Sequence, residues 1–438
     1  MKKLRISSFQ KIILGFITLI LLGSFLLTLP VSSKNGVRTP FNEALFTATS
    51  ASCVTGLIVH DTSSYWSDFG HAVIITLIQI GGLGVITMIL VMFLLTGKKI
   101  GLAQRSTMQD AVSAHNVGGI VKYTKFILAT TFSIEFCGAL LLAFQFCPDF
   151  GFGKGLWYSF FHSISAFCNA GFDLMDGEFS SLTSYASNPF VNIVIVLLIV
   201  FGGLGFLTWQ DICEHKHKIK RYSLQSKISL AFTAILIVFP ALYLFFSEYA
   251  NLSFTERTLS SLFQSVTLRT AGFNTTDLAA TSEVTKVIFI GLMLIGAAPG
   301  STAGGMKTTT FAVICAATLA VFKRRDSAQI FKRRIEDSLV RHAVAILILY
   351  LFLFLISGFI ISSTDDLPLI DCLFETASAI ATVGITTGIT TGLSALSKYI
   401  LIALMFFGRV GGLTLIYATM SGTSNTSSKL PTEKIMVG

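Results

Sequence analysis

CLFETASAIATVGI, residues 372–385, has three counterparts in the chain: LFTATSASCVTGL at 45–57, FFHSISAFCNAGF at 160–172 and LFQSVTLRTAGF at 262–273. Each carries an aromatic residue, then a Ser/Thr-rich polar stretch, then one glycine followed by an apolar residue. The glycines are Gly56, Gly171, Gly272 and Gly384, spaced by 115, 101 and 112 residues. Long apolar runs flank every segment. A chain that repeats this pattern four times wraps one pore within a single polypeptide, with a four-part ion filter.

The composition fits that reading. Of 438 residues 53% are hydrophobic and only 13% charged, which excludes a soluble globular protein and indicates an integral membrane protein. Eight long apolar runs span about 12–29, 71–95, 126–146, 190–209, 228–246, 287–322, 343–361 and 399–420. The sixth has 36 residues. As one helix it would measure about 54 Å against an apolar bilayer core of about 30 Å, so it must be broken. Lys2, Lys3 and Arg5 before the first run also resemble a signal peptide. The run is long for such a core and no small-x-small cleavage site follows, so it reads as the first membrane helix. Seven scattered cysteines suggest neither a disulfide framework nor a metal site, and Cys53 and Cys168 read as small buried residues.

The expected fold is an all-α membrane protein of four tandem helix–pore-loop–helix repeats. Eight transmembrane helices and four re-entrant pore hairpins stand in pseudo-fourfold arrangement around one pore. The repeats occupy 1–100, 101–222, 223–338 (with an intramembrane loop at 296–310) and 339–438. With both termini inside, cytoplasmic segments hold 23 Lys/Arg against seven acids, and outer segments six Lys/Arg against fifteen acids. This follows the positive-inside rule and explains the net charge of +9 without nucleic acid. The acidic outer face concentrates cations.

The polar segments are too short to span. Irregular backbone at membrane depth persists where it is buried in protein or lines water. Each therefore reads as a short helix descending with its carbonyl end toward the membrane centre, followed by a strand that climbs back through glycine. Strand carbonyls replace the hydration shell of a cation. Glycine permits the backbone angles this requires. The candidate filter is Cys53, Val54, Thr55 and Gly56; Cys168, Asn169, Ala170 and Gly171; Arg269, Thr270, Ala271 and Gly272; and Ala381, Thr382, Val383 and Gly384. The third segment is one residue shorter from Phe263 to Gly272, and Arg269 reads as tied to an acid behind the filter.

These four segments, TLRTAGF in the third, APGSTAGGMKTTT in the sixth run and Gly-Arg-Val-Gly-Gly in the last carry a resemblance. The chain resembles the Trk/Ktr/HKT superfamily of potassium translocators over essentially its whole length, and within it the Ktr-type membrane subunits. The resemblance implies a pore in each monomer, a homodimer and a cytoplasmic ring of nucleotide-binding regulatory subunits (the KtrA type). It also implies a bacterial cell-membrane location. Glycine at all four positions implies potassium rather than sodium, with K+ held at Val54, Thr55, Asn169, Ala170, Thr270, Ala271, Thr382 and Val383.

The resemblance makes the sixth-run segment the gate: Gly296, Gly300, Ser301, Thr302, Ala303, Gly304, Gly305 and Lys307. It has a superficial likeness to a phosphate loop, but Met306 occupies the lysine position, Lys307 comes one residue late and no strand precedes it, so a nucleotide site is rejected. Arg409 lies mid-way in the last run, where insertion costs about 2.5–3.5 kcal/mol unless the charge faces water or an internal partner. The resemblance places it in the pore below the filter, where it reads as an electrostatic barrier acting with the loop. Gly81-Gly82-Leu83-Gly84, Gly202-Gly203-Leu204-Gly205 and Gly411-Gly412 read first as close helix packing and second as hinges. Glu135 is an intramembrane acid facing an interior partner, with a basic residue among the candidates. The basic segments 97–125 and 323–342 read as anchors to lipid headgroups and as docking sites for the regulatory ring.

The expected function is the pore-forming subunit of a potassium uptake system, not an enzyme, with potassium in the filter and no covalent cofactor. A sodium/potassium symporter or a sodium-permeable channel of the same fold is the alternative. A metabolite transporter is disfavoured because the repeats run in one orientation and end in filter glycines.

Overall fold

The computed structural model describes residues 7–84, 87, 119–175, 181–412 and 414. Most of the basic segment 97–125, parts of the second and eighth apolar runs and the tail lie outside them. The described chain is mainly helical and follows a long–short–long rhythm. First come α1 (Ser8–Leu27), α2 (Phe41–Ser52) and α3 (Asp68–Leu83). Next are α4 (Ile120–Phe150), α5 (Phe152–Phe167) and α6 (Pro189–Gly203), with α7 (Phe206–His215) leaving α6 at 96°. Then follow α8 (Leu224–Phe246), α9 (Phe254–Thr267) and α10 (Glu283–Met293), and after a non-helical stretch α11 (Thr308–Phe322). Last are α12 (Asp337–Asp365), α13 (Leu369–Ala381) and α14 (Ala395–Val410).

Polar caps start several of these helices. Ser7 accepts from the Gln10 N–H, Ser67 from Gly70, Ser223 from Ser226, Ser282 from Thr285 and Ser394 from Ser397. Each such cap contributes about 0.5–2 kcal/mol. Among the described residues, α1, α4, α8 and α12 are long and apolar enough to cross a membrane, and α6 with α7 makes a fifth, bent candidate. Their outer faces expose Leu22, Phe25, Phe144, Phe239 and Phe352. So much bare apolar surface suits lipid and not water.

The short helices α2, α5, α9 and α13 lie inside, each against its neighbouring long helices. Their aromatic anchors Phe46, Phe161, Phe263 and Phe374 are fully buried. The long sixth run breaks as its length requires, between Met293 and Thr308. One feature departs from an all-α chain. Gln329–Ile330 (β1) pairs antiparallel with Arg333–Arg334 (β2), with Phe331 and Lys332 at positive φ as a primed two-residue turn demands. Ala328 and Ile335 beside it pack on Ala316. Two-residue strands leave no periodic signal in a sequence.

On the loop after α8, Glu248 holds the start of α10. Its carboxylate accepts from the Thr285 hydroxyl at 2.6 Å and from the Ser282 N–H and hydroxyl at 3.0 and 2.8 Å. Burial pushes this carboxyl up, but the hydrogen bonds outweigh burial and leave it below the ordinary glutamate value of 4.5. A depressed carboxylate stabilises the fold above its unfolded value and loses that contribution as pH falls through the native one. Glu248→Gln should therefore lower the melting temperature in detergent at pH 7, and its difference from wild type should shrink once the pH drops below about 4.5. A pH-independent difference would contradict this account.

Candidate ion-conduction site

After α2, α5, α9 and α13 the backbone does the same thing four times. Val54, Asn169, Thr270 and Thr382 take left-handed φ of 57°, 59°, 66° and 53°. Two residues later Gly56, Gly171, Gly272 and Gly384 have φ of 96°, 70°, 84° and 93°. These angles are costly with a side chain and free for glycine.

The four segments meet. A methyl group on Gly56 would stand 2.5 Å from the Ala170 carbonyl oxygen. On Gly171 it would stand 2.8 Å from Ala271 O, and on Gly272 2.7 Å from Val383 O. On Gly384 it would overlap Thr55 O. Each glycine thus abuts the carbonyl that precedes the next glycine, and the sequence of contacts closes on itself. Of the sequence-predicted residues, the four glycines and the Thr55, Ala170, Ala271 and Val383 that precede them meet in one cycle of backbone contacts.

Four hydroxyl residues not singled out from the sequence hold this geometry. Thr55 N–H donates to Ser50 O, Ala170 N–H to Ser165 O and Val383 N–H to Ser378 O, all at 2.8 Å, and Ala271 N–H donates to Thr267 O at 2.9 Å. The Ser50 and Ser378 side chains accept from the Gly56 and Gly384 N–H at 3.1 and 3.0 Å. The Ser165 and Thr267 hydroxyls donate instead to Phe172 O and Phe273 O at 2.6 and 2.5 Å. Their signal was present: a Ser or Thr six residues before the glycine, five in the shortened third segment.

Of the two expected uses of these glycine motifs, close packing is seen. A methyl on Gly81, Gly202 or Gly408 would overlap Ser52 O, Phe167 O or Ile380 O, at the carbonyl end of a short helix. Three residues on, Gly84, Gly205 and Gly411 have φ of 86°, 84° and 90°; Gly84 and Gly411 cap the ends of α3 and α14, and Gly205 stands at the bend between α6 and α7.

The third segment is followed instead by the loop between Met293 and Thr308. It is pinned from two sides: Ala298 N–H donates to Gly203 O at 3.1 Å, Phe206 N–H to Gly300 O at 2.9 Å and Gly305 N–H to Gly408 O at 3.2 Å. The Thr302 hydroxyl donates to Phe167 O at 2.9 Å, beneath the second segment. A methyl on Gly305 would come 2.8 Å from Ala381 O, beneath the fourth. Arg409 completes the clamp. It donates to Thr302 O in the loop, and to Gly81 O and Gly82 O at 2.5 and 2.9 Å. The last two are end-of-helix carbonyls, which a cation satisfies well. Lys307 Nζ folds back onto Ala303 O and Gly304 O at 2.8 and 3.2 Å. Both cations line a cavity of about 460 Å³ with Ser301, Met306, Phe206 and Tyr350.

Two expected partners differ. Arg269 is buried, but no carboxylate pairs with it among the described residues, and its Nε has no hydrogen-bond partner. Its side chain lines a small cavity behind the third segment with Ile199, Ile237, Val266 and Ala297. Glu135 meets neutral groups and not a base: Gln79 Nε2 donates to its oxygens at 3.1 and 3.2 Å, and Cys168 Sγ lies 3.8 Å away. The wide separation of these residues in sequence hides such contacts.

Comparison with known proteins agrees with this architecture. The TrkH profile, described as cation transport protein, matches residues 5–427. The potassium/sodium uptake protein NtpJ of Enterococcus hirae is 38% identical, covering 99% of this chain and 98% of its own. The Ktr system potassium uptake protein B of Bacillus subtilis is also 38% identical, over 100% and 98%. The crystal structure of the potassium transporter TrkH from Vibrio parahaemolyticus shares the fold, with a TM-score of 0.75 at 19% identity over 95% of this chain and 85% of that one.

The packing role of Gly81 is separable from generic helix effects. Gly81→Ala forces a methyl into Ser52 O and should cost about 1–3 kcal/mol, read as a lower melting temperature in detergent. Gly291→Ala, with nothing within 4 Å of the new carbon, should be neutral or stabilise by about 0.5–1 kcal/mol. Equal behaviour of the two variants would refute the contact.

Proposed function

The chain belongs to the TrkH family of cation transport proteins, transporters and not enzymes, and we propose that it is the pore-forming subunit of a potassium uptake system. The observation that carries this reading is the closed cycle in which each segment glycine abuts the carbonyl of the next. Four inward carbonyls replace a hydration shell without any charged ligand, which suits a monovalent cation. The four segments are the filter, each the tip of a re-entrant hairpin, and the residue ranges 1–100, 101–222, 223–338 and 339–438 are the repeats that supply them. The chain sits in the bacterial cell membrane with both termini inside. There it works as a homodimer with a cytoplasmic nucleotide-binding ring. The Ktr system names of its relatives support such a partner.

Potassium moves inward down the membrane potential, which is worth about 2.3 kcal/mol per charge per 100 mV. The loop between α10 and α11 and Arg409 form the gate. Arg409 places a positive charge in the path and ties the loop to α3, so it opposes passage both electrostatically and sterically. The name of the Enterococcus hirae relative, a potassium/sodium uptake protein, favours a second reading in which sodium accompanies or replaces potassium. Potassium uptake measured with and without external sodium separates the two.

Growth of a potassium-uptake-deficient bacterium on low potassium tests the filter. Wild type should rescue growth, and Ser at Gly56, Gly171, Gly272 or Gly384 should weaken or abolish rescue; full rescue by all four variants would sink the assignment. Arg409→Ala should raise the initial uptake rate several-fold, because the barrier charge and the loop tether leave together. If uptake and conductance are both unaltered, Arg409 is no gate.

A further inference from the structure

A second set of equivalent positions lies behind the glycine cycle. Nine residues before Gly56, Gly171 and Gly384, and eight before Gly272 in its shortened segment, stand Thr47, His162, Glu375 and Gln264. All four side chains are buried. Three of them tie the short helix to the chain just beyond the glycine. His162 Nδ1 donates to Tyr158 O at 2.7 Å, leaving Nε2 to accept from the Leu174 N–H at 3.3 Å. Gln264 Nε2 donates to Asn274 Oδ1 at 2.6 Å and Thr276 Oγ1 at 2.8 Å. Glu375 is the one carboxyl in the set. The Thr386 hydroxyl donates to its Oε1, and the Thr390 hydroxyl donates to Oε2 at 2.9 Å. Thr386 Oγ1 in turn accepts from the Gly388 N–H at 2.8 Å. Glu375 has no cationic partner among the described residues, although Asp371 one turn earlier pairs with Lys286 at 3.1 Å. In the first segment the tie is missing, since the Thr47 hydroxyl has no hydrogen-bond partner.

We infer that Glu375, through its clasp on Thr386 and Thr390, is a positioning residue that sets cation discrimination at the fourth filter segment. The inference rests on the potassium-filter reading above. Discrimination between monovalent cations depends on how far carbonyl oxygens can close on the ion. Val383 O faces Gly272, and the backbone beyond Gly384 is free to shift unless something behind it resists. A carboxyl with one oxygen on each of two hydroxyls, and with the Thr387 N–H between them, holds that strand along its length, and the Thr386–Gly388 bond locks the turn. The four segments are thus alike in backbone and unlike in support, with the fourth held by the strongest acceptor.

The full chain is tested in the potassium-uptake-deficient bacterium by comparing potassium and sodium uptake rates. The double variant Thr386→Val with Thr390→Val keeps Glu375 and the Thr387 N–H that also reaches it, but removes both hydroxyl donors. It should lower the potassium-to-sodium ratio about tenfold, equivalent to ~1.4 kcal/mol. Glu375→Ala should match it. Glu375→Gln, which keeps an acceptor for one hydroxyl and offers a donor to the other, should stay within about twofold of wild type, a rescue that simple loss of the charge does not predict. Membrane abundance and gel-filtration profile control for folding. Where Glu375→Ala fails to accumulate, Thr386→Val alone carries the test. An unchanged ratio in the threonine variants overturns the clasp, as does a Gln variant as impaired as Ala. A wild type that moves no potassium overturns the filter reading itself, and the inference with it.

Discussion

The contact on which the rest of the structure depends is glycine against carbonyl. Each segment glycine lies so close to the next segment's carbonyl oxygen that a methyl group has no room. Backbone meets backbone, and side chains are excluded from the centre. Everything outside serves that approach. The left-handed residue two places earlier turns the chain back from its helix, and the Ser or Thr in the last turn holds the returning strand. The buried phenylalanine of each short helix fixes how deep it sits.

Bringing short helices to one centre creates a second constraint. Their last carbonyls need partners in a setting with little water. Glycines of the following helices approach some of them closely, as Gly81, Gly202 and Gly408 do. Those helices end three residues later and leave carbonyls of their own. The loop between α10 and α11 and the guanidinium of Arg409 take up several of them, at Gly81, Gly82, Gly203 and Gly408. The loop is thus held by hydrogen bonds to helix ends.

The periodic recurrence of the glycine segments made the four-part plan legible, and the excess length of the sixth run made its break legible. Arg409 was legible as a mid-run cation that needed water or an internal partner, because a charge amid apolar residues is conspicuous. The partners were not, since Gly81, Gly82 and Thr302 lie hundreds of residues or about a hundred residues away and offer only backbone oxygen. The same reason explains Arg269, for which a carboxylate was expected and none is found among the described residues, and Glu135, which meets Gln79 and Cys168. Electrostatic reasoning on a sequence seeks opposite charges, whereas a membrane interior also satisfies charge with amides, thiols and carbonyls.

The sequence alone determined that this chain is a mostly helical membrane protein, that it carries four like glycine segments and that one long run breaks. Composition, periodicity and run length carry those facts, and each is local along the chain. Only the tertiary structure decided the cyclic order of glycine and carbonyl contacts, the partners of Arg409 and the different supports at Thr47, His162, Gln264 and Glu375. These depend on which backbone groups a fold brings together. Every residue has the same carbonyl and N–H, so no pattern of side chains announces them.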